Sequence, residues 1–245
     1  MLMRTAVFES TSYLLARQAP QAHVCFETPS RTYDSESPSA FRVRLPDTCA
    51  EALGELLPLL LCGEESAALV FDQMVEGSLD PSTKDDLQRI ADDEMRHQYW
   101  LQRLRRALPA PREDVALRAR ARRFFMRLRH RDAAVHCVRI AALDSAVCLI
   151  LGKLRSPQSA IVRDPLVGEL FARIHRDEAQ HVLMARRAAQ RLGCFAAERD
   201  ITIETRSSLI EILSHRAHAL DVLGVDPDKL FKLLRLQGLH ANYIA

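Results

Sequence analysis

The sequence predicts an all-α fold built from four long helices, with additional flanking helices and an extended N-terminal arm. Among its 245 residues, Leu, Ala and Arg are abundant, aromatic residues make up 6%, and there are only 8 glycines. This composition favours helices joined by short turns over sheets. Three Asp-Pro steps, at 80–81, 164–165 and 226–227, each place an N-cap residue before a proline suited to the first helical position.

The helices are predicted from residue 47 onward. We expect the four long helices at residues 47–77, 81–108, 132–155 and 165–192, an Arg-rich helix at 113–130, and two further helices at 203–222 and 227–237. Pro58 is expected to kink or split the first long helix. Gly152 and Gly193 stand near the ends of the third and fourth, where glycine commonly ends a helix.

The first 46 residues differ from the rest in composition. Prolines at 20, 29, 38 and 46, with Ser and Thr between them, predict a short helix near residues 7–17 followed by an extended arm. We therefore expect three parts: an arm at 1–46, a four-helix bundle at 47–193, and C-terminal helices at 194–245 that pack on the bundle.

Charge and cysteine content favour a soluble, reduced, cytoplasmic protein. The formal net charge of +2 gives no global argument for nucleic acid or membrane. No run is expected to be long and apolar enough to cross a bilayer, and the N-terminus lacks the pattern of a signal peptide. The six cysteines show no paired spacing, so a disulfide framework is not expected.

Two helices carry related acidic motifs. The second long helix contains Asp-Glu-Met-Arg-His at 93–97, and the fourth contains Asp-Glu-Ala-Gln-His at 177–181. In each motif the Glu and His are three residues apart, so both side chains leave the helix on the same side and can hold one ion. One such motif is weak support for a metal site, but two in long amphipathic helices indicate a paired site.

The two remaining long helices each offer an acid on an apolar face. Glu64 shares its helical stripe with leucines, alanines and Phe71, whereas Glu65 points toward other acids and is expected nearer solvent. Asp144 is the only acid between residues 133 and 154. A buried carboxylate is costly unless it is paired or binds a metal, so Asp144 is a candidate ligand.

Together these motifs resemble the metal site of ferritin-like di-iron carboxylate oxygenases and oxidases, including bacterial monooxygenase hydroxylases. Gly-Glu-Glu-Ser-Ala at 63–67, followed by Asp-Glu-x-Arg-His, is similar to their first half-site. Asp144, followed by the Glu of the second motif, is similar in spacing to the other half-site. The resemblance covers residues 55–190 and implies a ferritin-like four-helix bundle.

The resemblance also implies six metal ligands in two half-sites: Glu64, Glu94 and His97 for one ion, and Asp144, Glu178 and His181 for the other. Glu94 and Glu178 are the expected bridges between the ions. The implied cofactors are two iron ions, with manganese as the alternative metal, and dioxygen is the implied co-substrate.

Two further acids are expected to orient the imidazoles. By the same resemblance, Asp93 accepts a hydrogen bond from the outer N–H of His181. Asp177 does the same for His97. Such contacts hold the tautomer and the ring plane of a metal-binding histidine. The alternative is that both acids lie on ordinary solvated helix faces.

The motifs depart from the family pattern in two places. Asp144 stands where Glu is usual, and Gln180 stands where Arg is common, although neither removes a ligand. His175 lies one turn before Glu178 and resembles the extra histidine of arylamine N-oxygenases, which lies four residues before the Glu instead of three. Two alternatives stay open for His175: a seventh ligand, or a histidine that is partly exposed or contacts a ligand from outside the metal site.

The ligand types point toward dioxygen chemistry. Carboxylates and imidazoles suit iron or manganese better than copper or a zinc–thiolate site. We therefore predict an oxygenase or oxidase that hydroxylates, N-oxygenates or desaturates a small organic substrate, for example in natural-product biosynthesis, with an external electron donor. The alternatives are a ferroxidase or iron-handling protein without an organic substrate, and a metal-free helical binding module.

The Arg-rich segment, two further histidines and three cysteines are expected to have structural roles. The Arg-rich segment at 112–131 is expected to be a solvated helix face with an aromatic anchor, and docking of an acidic carrier protein is the alternative. A homodimer stays open, and sparse aromatics do not favour nucleic-acid binding. His215 and His218 are expected at the surface or between helices. Cys62, Cys137 and Cys148 are expected to pack as small apolar residues.

Overall fold

The computed structural model describes residues 25–26, 42–75, 80–193 and 198–237. From residue 47 onward the described residues are mainly helical, and the described ranges contain no strand. The helices are α1 (Asp47–Val75), α2 (Pro81–Arg106), α3 (Val115–Leu128), α4 (Ala133–Leu154), α5 (Pro165–Arg191), α6 (Glu198–Ser214), α7 (Ala217–Val222) and α8 (Pro227–Gln237), with a turn of 3₁₀ helix at Ala160–Arg163. The short helix predicted near residues 7–17 lies outside the described residues.

The predicted Asp-Pro helix starts are confirmed. Asp80 accepts a hydrogen bond from the backbone N–H of Thr83, and Asp164 accepts two from the first turn of α5. Asp226 accepts one from the backbone N–H of Lys229 at 3.0 Å. Each contact satisfies an N–H that has no partner within the helix, which is typically worth about 1 kcal/mol.

One helix prediction needs correction. The single helix predicted at 203–222 is wrong, because the structure has α6 and α7 with a break at His215 and Arg216. The last turn of α6 tightens there, and the Arg216 guanidinium turns toward Asp114 at the start of α3, 3.2 Å away. In contrast, α1 continues through Pro58 and is not split.

The four long helices pack around a central layer of polar side chains. α1 packs along α2, α4 packs along α5, and α2 contacts α5, while α6 covers α4 and α7 covers part of α1. One apolar cluster includes Leu57 and Phe171, and a second includes Phe71 and Ala185. Along each long helix, the acidic motifs fall at the boundary between these clusters. The polar layer is therefore closed at both ends by apolar packing.

A disulfide joins Cys25 to Cys62, which corrects the expectation of unpaired cysteines. The two residues are 37 positions apart, so no local sequence motif predicts the bond. Glu65 is also placed differently from the prediction, because it is fully buried instead of near solvent. Its carboxylate accepts backbone hydrogen bonds from Cys25 at 2.7 Å and Phe26 at 3.0 Å. The disulfide and this carboxylate together hold residues 25–26 against α1.

Helix α4 also corrects the expectation that no segment could span a membrane. It is long enough, and the mean hydropathy of its most apolar window is 1.8. However, 67% of that window is buried inside the protein. Core helices of soluble proteins meet the same criteria, so this is only a weak indication of a membrane span.

Candidate metal centre

The structure brings the six predicted metal ligands together in the polar layer. α1 contributes one of them, α2 two, α4 one and α5 two: Glu64, Glu94, His97, Asp144, Glu178 and His181. All six are buried, and none is more than 6% exposed. They fall into two groups, each with potential ligand atoms within 4.8 Å of one another.

The two groups share two glutamates. One group contains Glu64 and His97, the other contains Asp144 and His181, and both contain Glu94 and Glu178. A carboxylate has two oxygens and can therefore face one ion with each. Each group could therefore hold a metal ion, and Glu94 and Glu178 belong to both groups.

His97 is held between an outer carboxylate and the cluster. Its Nε2 lies 3.1 Å from Oδ2 of Asp177 on the neighbouring α5, a normal hydrogen-bond distance. Its Nδ1 faces inward, 3.4 Å from both Oε2 of Glu64 and Oε1 of Glu178. If Nε2–H donates to Asp177, the lone pair of Nδ1 is directed into the cluster.

His181 repeats this arrangement in the opposite direction. Its Nε2 lies 3.2 Å from Oδ2 of Asp93 on α2, and its Nδ1 lies 3.3 Å from Oε1 of Glu94. Arg96 forms an ion pair with Asp93 at the outer side of this contact. The two hydrogen bonds therefore cross between α2 and α5, and each helix orients the histidine of the other.

Several inward atoms lack hydrogen-bond partners in the part of the chain that the structure describes. They are Oε2 of Glu64, Oδ2 of Asp144 and Nδ1 of both His97 and His181. Leaving one buried polar atom without a partner typically costs about 1–3 kcal/mol. Four such atoms directed into one cluster of carboxylates and imidazoles fit divalent cations, which would bind their lone pairs.

Electrostatics in the cluster favour the uptake of positive charge. Burial and the neighbouring Glu94 raise the pKa of Glu64 well above its usual value. Burial also raises the pKa of Asp144, with a further contribution from Glu178. Burial alone would raise the pKa of Glu94, but a hydrogen bond from Glu64 and contacts with both imidazoles lower it instead.

The same carboxylates also change the pKa values of the two imidazoles. Burial alone would lower the pKa of His97, but nearby carboxylates, Asp177 first, hold it well above its usual value. Burial alone would also lower the pKa of His181, but nearby carboxylates, Asp93 first, hold it well above its usual value. Carboxylates crowded in a buried volume bind protons, or metal cations in their place.

An apolar cavity of about 60 Å³ lies against the cluster. Carboxylates of four ligands form one wall: Glu64, Glu94, Asp144 and Glu178. Most of the other wall residues are apolar and come from α1, α3, α4 and α6, among them Leu60, Phe125, Val147 and Leu213. The cluster therefore borders a small, mainly apolar cavity on one side.

His175 does not join either group. Its Nδ1 lies 2.9 Å from a guanidinium nitrogen of Arg155, and its Nε2 lies beside Gly152. Burial lowers the pKa of His175, and the positive charge of Arg155 lowers it further. This placement does not support a seventh ligand.

The other histidine and cysteine predictions have mixed outcomes. His215 and His218 are exposed, and His215 lies 3.1 Å from a guanidinium nitrogen of Arg120. Cys137 is buried in an apolar cluster, as expected. Cys148 is half-buried, and burial raises the pKa of its thiol to about 12. The expectation for Cys62 is wrong, because it forms the disulfide with Cys25.

Sequence reasoning missed His136. This residue of α4 is 1% exposed, and its Nδ1 lies 3.0 Å from the carbonyl oxygen of Leu128. Its Nε2 has no hydrogen-bond partner among the described residues. Burial lowers the pKa of His136 to about 4, so the ring is neutral near pH 7. A lone histidine in the most apolar helix of the chain was the signal that could have drawn attention to it.

Comparisons with protein-family models, with curated proteins and with solved structures each find no match to this chain. The metal-capable cluster is therefore supported by its own geometry and chemistry.

Proposed function

We propose that this protein is a non-haem di-iron enzyme that activates dioxygen and oxidises a small organic substrate. The observation that carries the proposal is the pair of ligand groups that share Glu94 and Glu178. The ferritin-like four-helix bundle is part of the proposal, supported by the contribution of ligands from four long helices. Manganese in one or both positions is the alternative metal.

The side chains of the cluster have distinct roles in this proposal. Glu64, His97, Asp144 and His181 would each hold one ion, and the shared glutamates would lie between the two. Two bound iron ions would supply the electrons and the site at which dioxygen reacts. Asp93 and Asp177 keep the imidazoles oriented, and the apolar packing at both ends of the layer excludes water.

The adjacent cavity supports an organic substrate over an iron-handling role. Its walls are mainly apolar apart from the carboxylates of the cluster. An iron-handling protein would instead need a polar channel to pass hydrated cations. Oxygenation of a substrate also requires two electrons, so the proposal includes an external electron donor.

Anaerobic titration with ferrous iron, followed by dialysis and metal analysis, tests the two-metal site. We expect two irons per chain in the full-length protein. Glu94→Ala and Glu178→Ala should each lose this stoichiometry, because both groups depend on these residues. Glu169→Ala is the matched control, since Glu169 is an exposed acid on α5.

Unchanged iron binding in both variants, or no iron binding by the unmodified chain, would overturn the proposal. A second measurement separates an oxygenase from an iron-handling protein. With phenol as an organic probe and an external reductant present, an oxygenase should convert the probe into an oxidised product, detected by mass spectrometry. An iron-handling protein should consume dioxygen without changing the probe.

A further inference from the structure

Three cavities follow one another along the groove between α1, α3 and α4. The outer cavity, of about 410 Å³, shares Val70 and His136 with a narrow middle cavity of about 10 Å³. The middle cavity shares Gly63, Phe125 and Leu143 with the inner cavity that touches the metal-capable cluster. Shared wall residues mean that neighbouring cavities lie on two sides of the same residues. The three cavities therefore lie in series between the surface and the cluster.

Phe125 separates the middle cavity from the inner one. Its ring forms part of both walls, and the residue is 6% exposed. The ring lies tightly against α1 at Gly63, where an added Cβ would come within 3.3 Å of the ring carbon Cζ. The absence of a side chain at Gly63 lets the aromatic ring lie across the route, and movement of that ring would join the two cavities.

His136 lies between the outer and middle cavities and lines both. In a neutral imidazole one nitrogen donates a hydrogen bond and the other accepts one. Since Nδ1 lies 3.0 Å from the carbonyl oxygen of Leu128, Nδ1 is the donor. Nε2 is then a buried acceptor without a partner in the described part of the chain. A donor carried by a bound molecule would satisfy it.

The rim of the outer cavity is basic. Arg129, His130 and Arg131 lie there, next to the apolar side chains of Met74 and Met126. The guanidinium groups disfavour a cationic ligand at this mouth. Beyond His136, the remaining wall of the middle cavity is mostly apolar, so a charged group would lose its hydration without compensation.

We propose that the substrate is a small, uncharged, mainly apolar molecule that enters along this groove and donates a hydrogen bond to Nε2 of His136. The donor is a hydroxyl or an N–H group. Movement of the Phe125 ring then admits the apolar end of the molecule to the inner cavity. This inference deepens the proposed function and rests on it, because the inner cavity is where oxidation would take place.

Binding of phenol and anisole to the purified full-length chain tests the role of His136. Anisole differs from phenol by one methyl group, which removes the hydrogen-bond donor. The ratio of phenol to anisole affinity, measured by calorimetry, should be about five- to tenfold higher in the unmodified chain than in His136→Leu. His215→Leu, which changes an exposed histidine in another groove, should keep the ratio of the unmodified chain. An equal ratio in the unmodified chain and in His136→Leu would overturn the assignment.

Methyl NMR with phenol as the probe tests the role of Phe125. In the unmodified chain, the methyl signal of Met126 in the outer cavity should shift at lower phenol concentration than the signals of Val147 and Ile150 in the inner cavity. Phe125→Ala should bring the inner signals into the same concentration range. Phe124→Ala is the matched control, because Phe124 is equally buried but lines the groove between α3 and α6. Phe125→Leu replaces Phe125→Ala if the smaller residue prevents folding.

Inner signals that shift before that of Met126 would show that ligands reach the cluster by another route and would overturn the proposal. Both probe experiments are performed without added metal, so their outcome is independent of the iron titration. Retained phenol preference with no iron binding would overturn the proposed function but not the phenol site. Two bound irons without any phenol preference would overturn only the role of His136.

Discussion

Acidification from pH 7 to pH 5 should destabilise the folded chain through His136. Burial lowers the pKa of this imidazole to about 4, and the positive charges of Arg139 and Arg129, together with His130, lower it further. In the unfolded chain the pKa returns to about 6.5. The unfolded chain therefore binds a proton that the folded chain excludes. The stability contribution is complete above pH 6.5 and is lost as the pH falls through 4.

The expected loss of free energy of unfolding follows from the pKa values of His136 in the folded and unfolded chains. A shift from 6.5 to about 4 lowers the free energy of unfolding by roughly 2 kcal/mol between pH 7 and pH 5. Urea denaturation at both pH values measures this loss in the unmodified chain and in His136→Leu. Because the other titrating groups are common to both proteins, their effects cancel in the difference.

His136→Leu should therefore be less sensitive to this acidification by roughly 2 kcal/mol. His215→Leu, which changes an exposed histidine, should behave like the unmodified chain. If the unmodified chain and His136→Leu lose the same free energy of unfolding, the conclusion that His136 is buried in its neutral form is refuted.

Three further changes test separate parts of the structure. Reducing the Cys25–Cys62 disulfide should lower the free energy of unfolding by about 3–4 kcal/mol, because the bond closes a long loop. Urea denaturation with and without reductant measures this loss. Equal free energies of unfolding under the two conditions would contradict the prediction. Gly224→Ala should lower thermal stability more than Gly193→Ala. Both glycines have positive φ, but only at Gly224 would the added Cβ lie 2.5 Å from a carbonyl oxygen. Asp93→Asn should weaken iron binding about 10- to 100-fold in competition with a chelator, because the Asp93 carboxylate orients the imidazole of His181. Unchanged iron affinity would argue against that role of Asp93.

Local patterns in the sequence were sufficient for much of the fold and for the composition of the cluster. Asp-Pro steps specify helix starts through contacts within four residues, which is why Asp80 and Asp164 could be identified without tertiary information. The Glu and His of each repeated motif share one side of their helix by the geometry of the helix alone. The pairing of each imidazole with an acid of the other motif followed from the resemblance, and the structure contains both contacts.

Long-range packing decided the features that the sequence did not show. Helical periodicity identifies apolar faces, but it does not tell which polar side chain will be covered by a distant segment. Glu65 was expected near solvent, yet residues 25–26 cover it and donate backbone hydrogen bonds to its carboxylate. The bond from Cys25 to Cys62 has the same origin, because residues 37 positions apart meet only after the chain has folded.

The sequence by itself determined which residues could form a two-metal cluster and which helices carry them, because helix geometry places Glu and His three residues apart on one face. Only the tertiary structure decided which cavities lie beside the cluster. The cavities lined by His136 and Phe125 exist because α3 lies against α1 and α4. A cavity is a space between helices, so the periodicity of a single helix does not predict it.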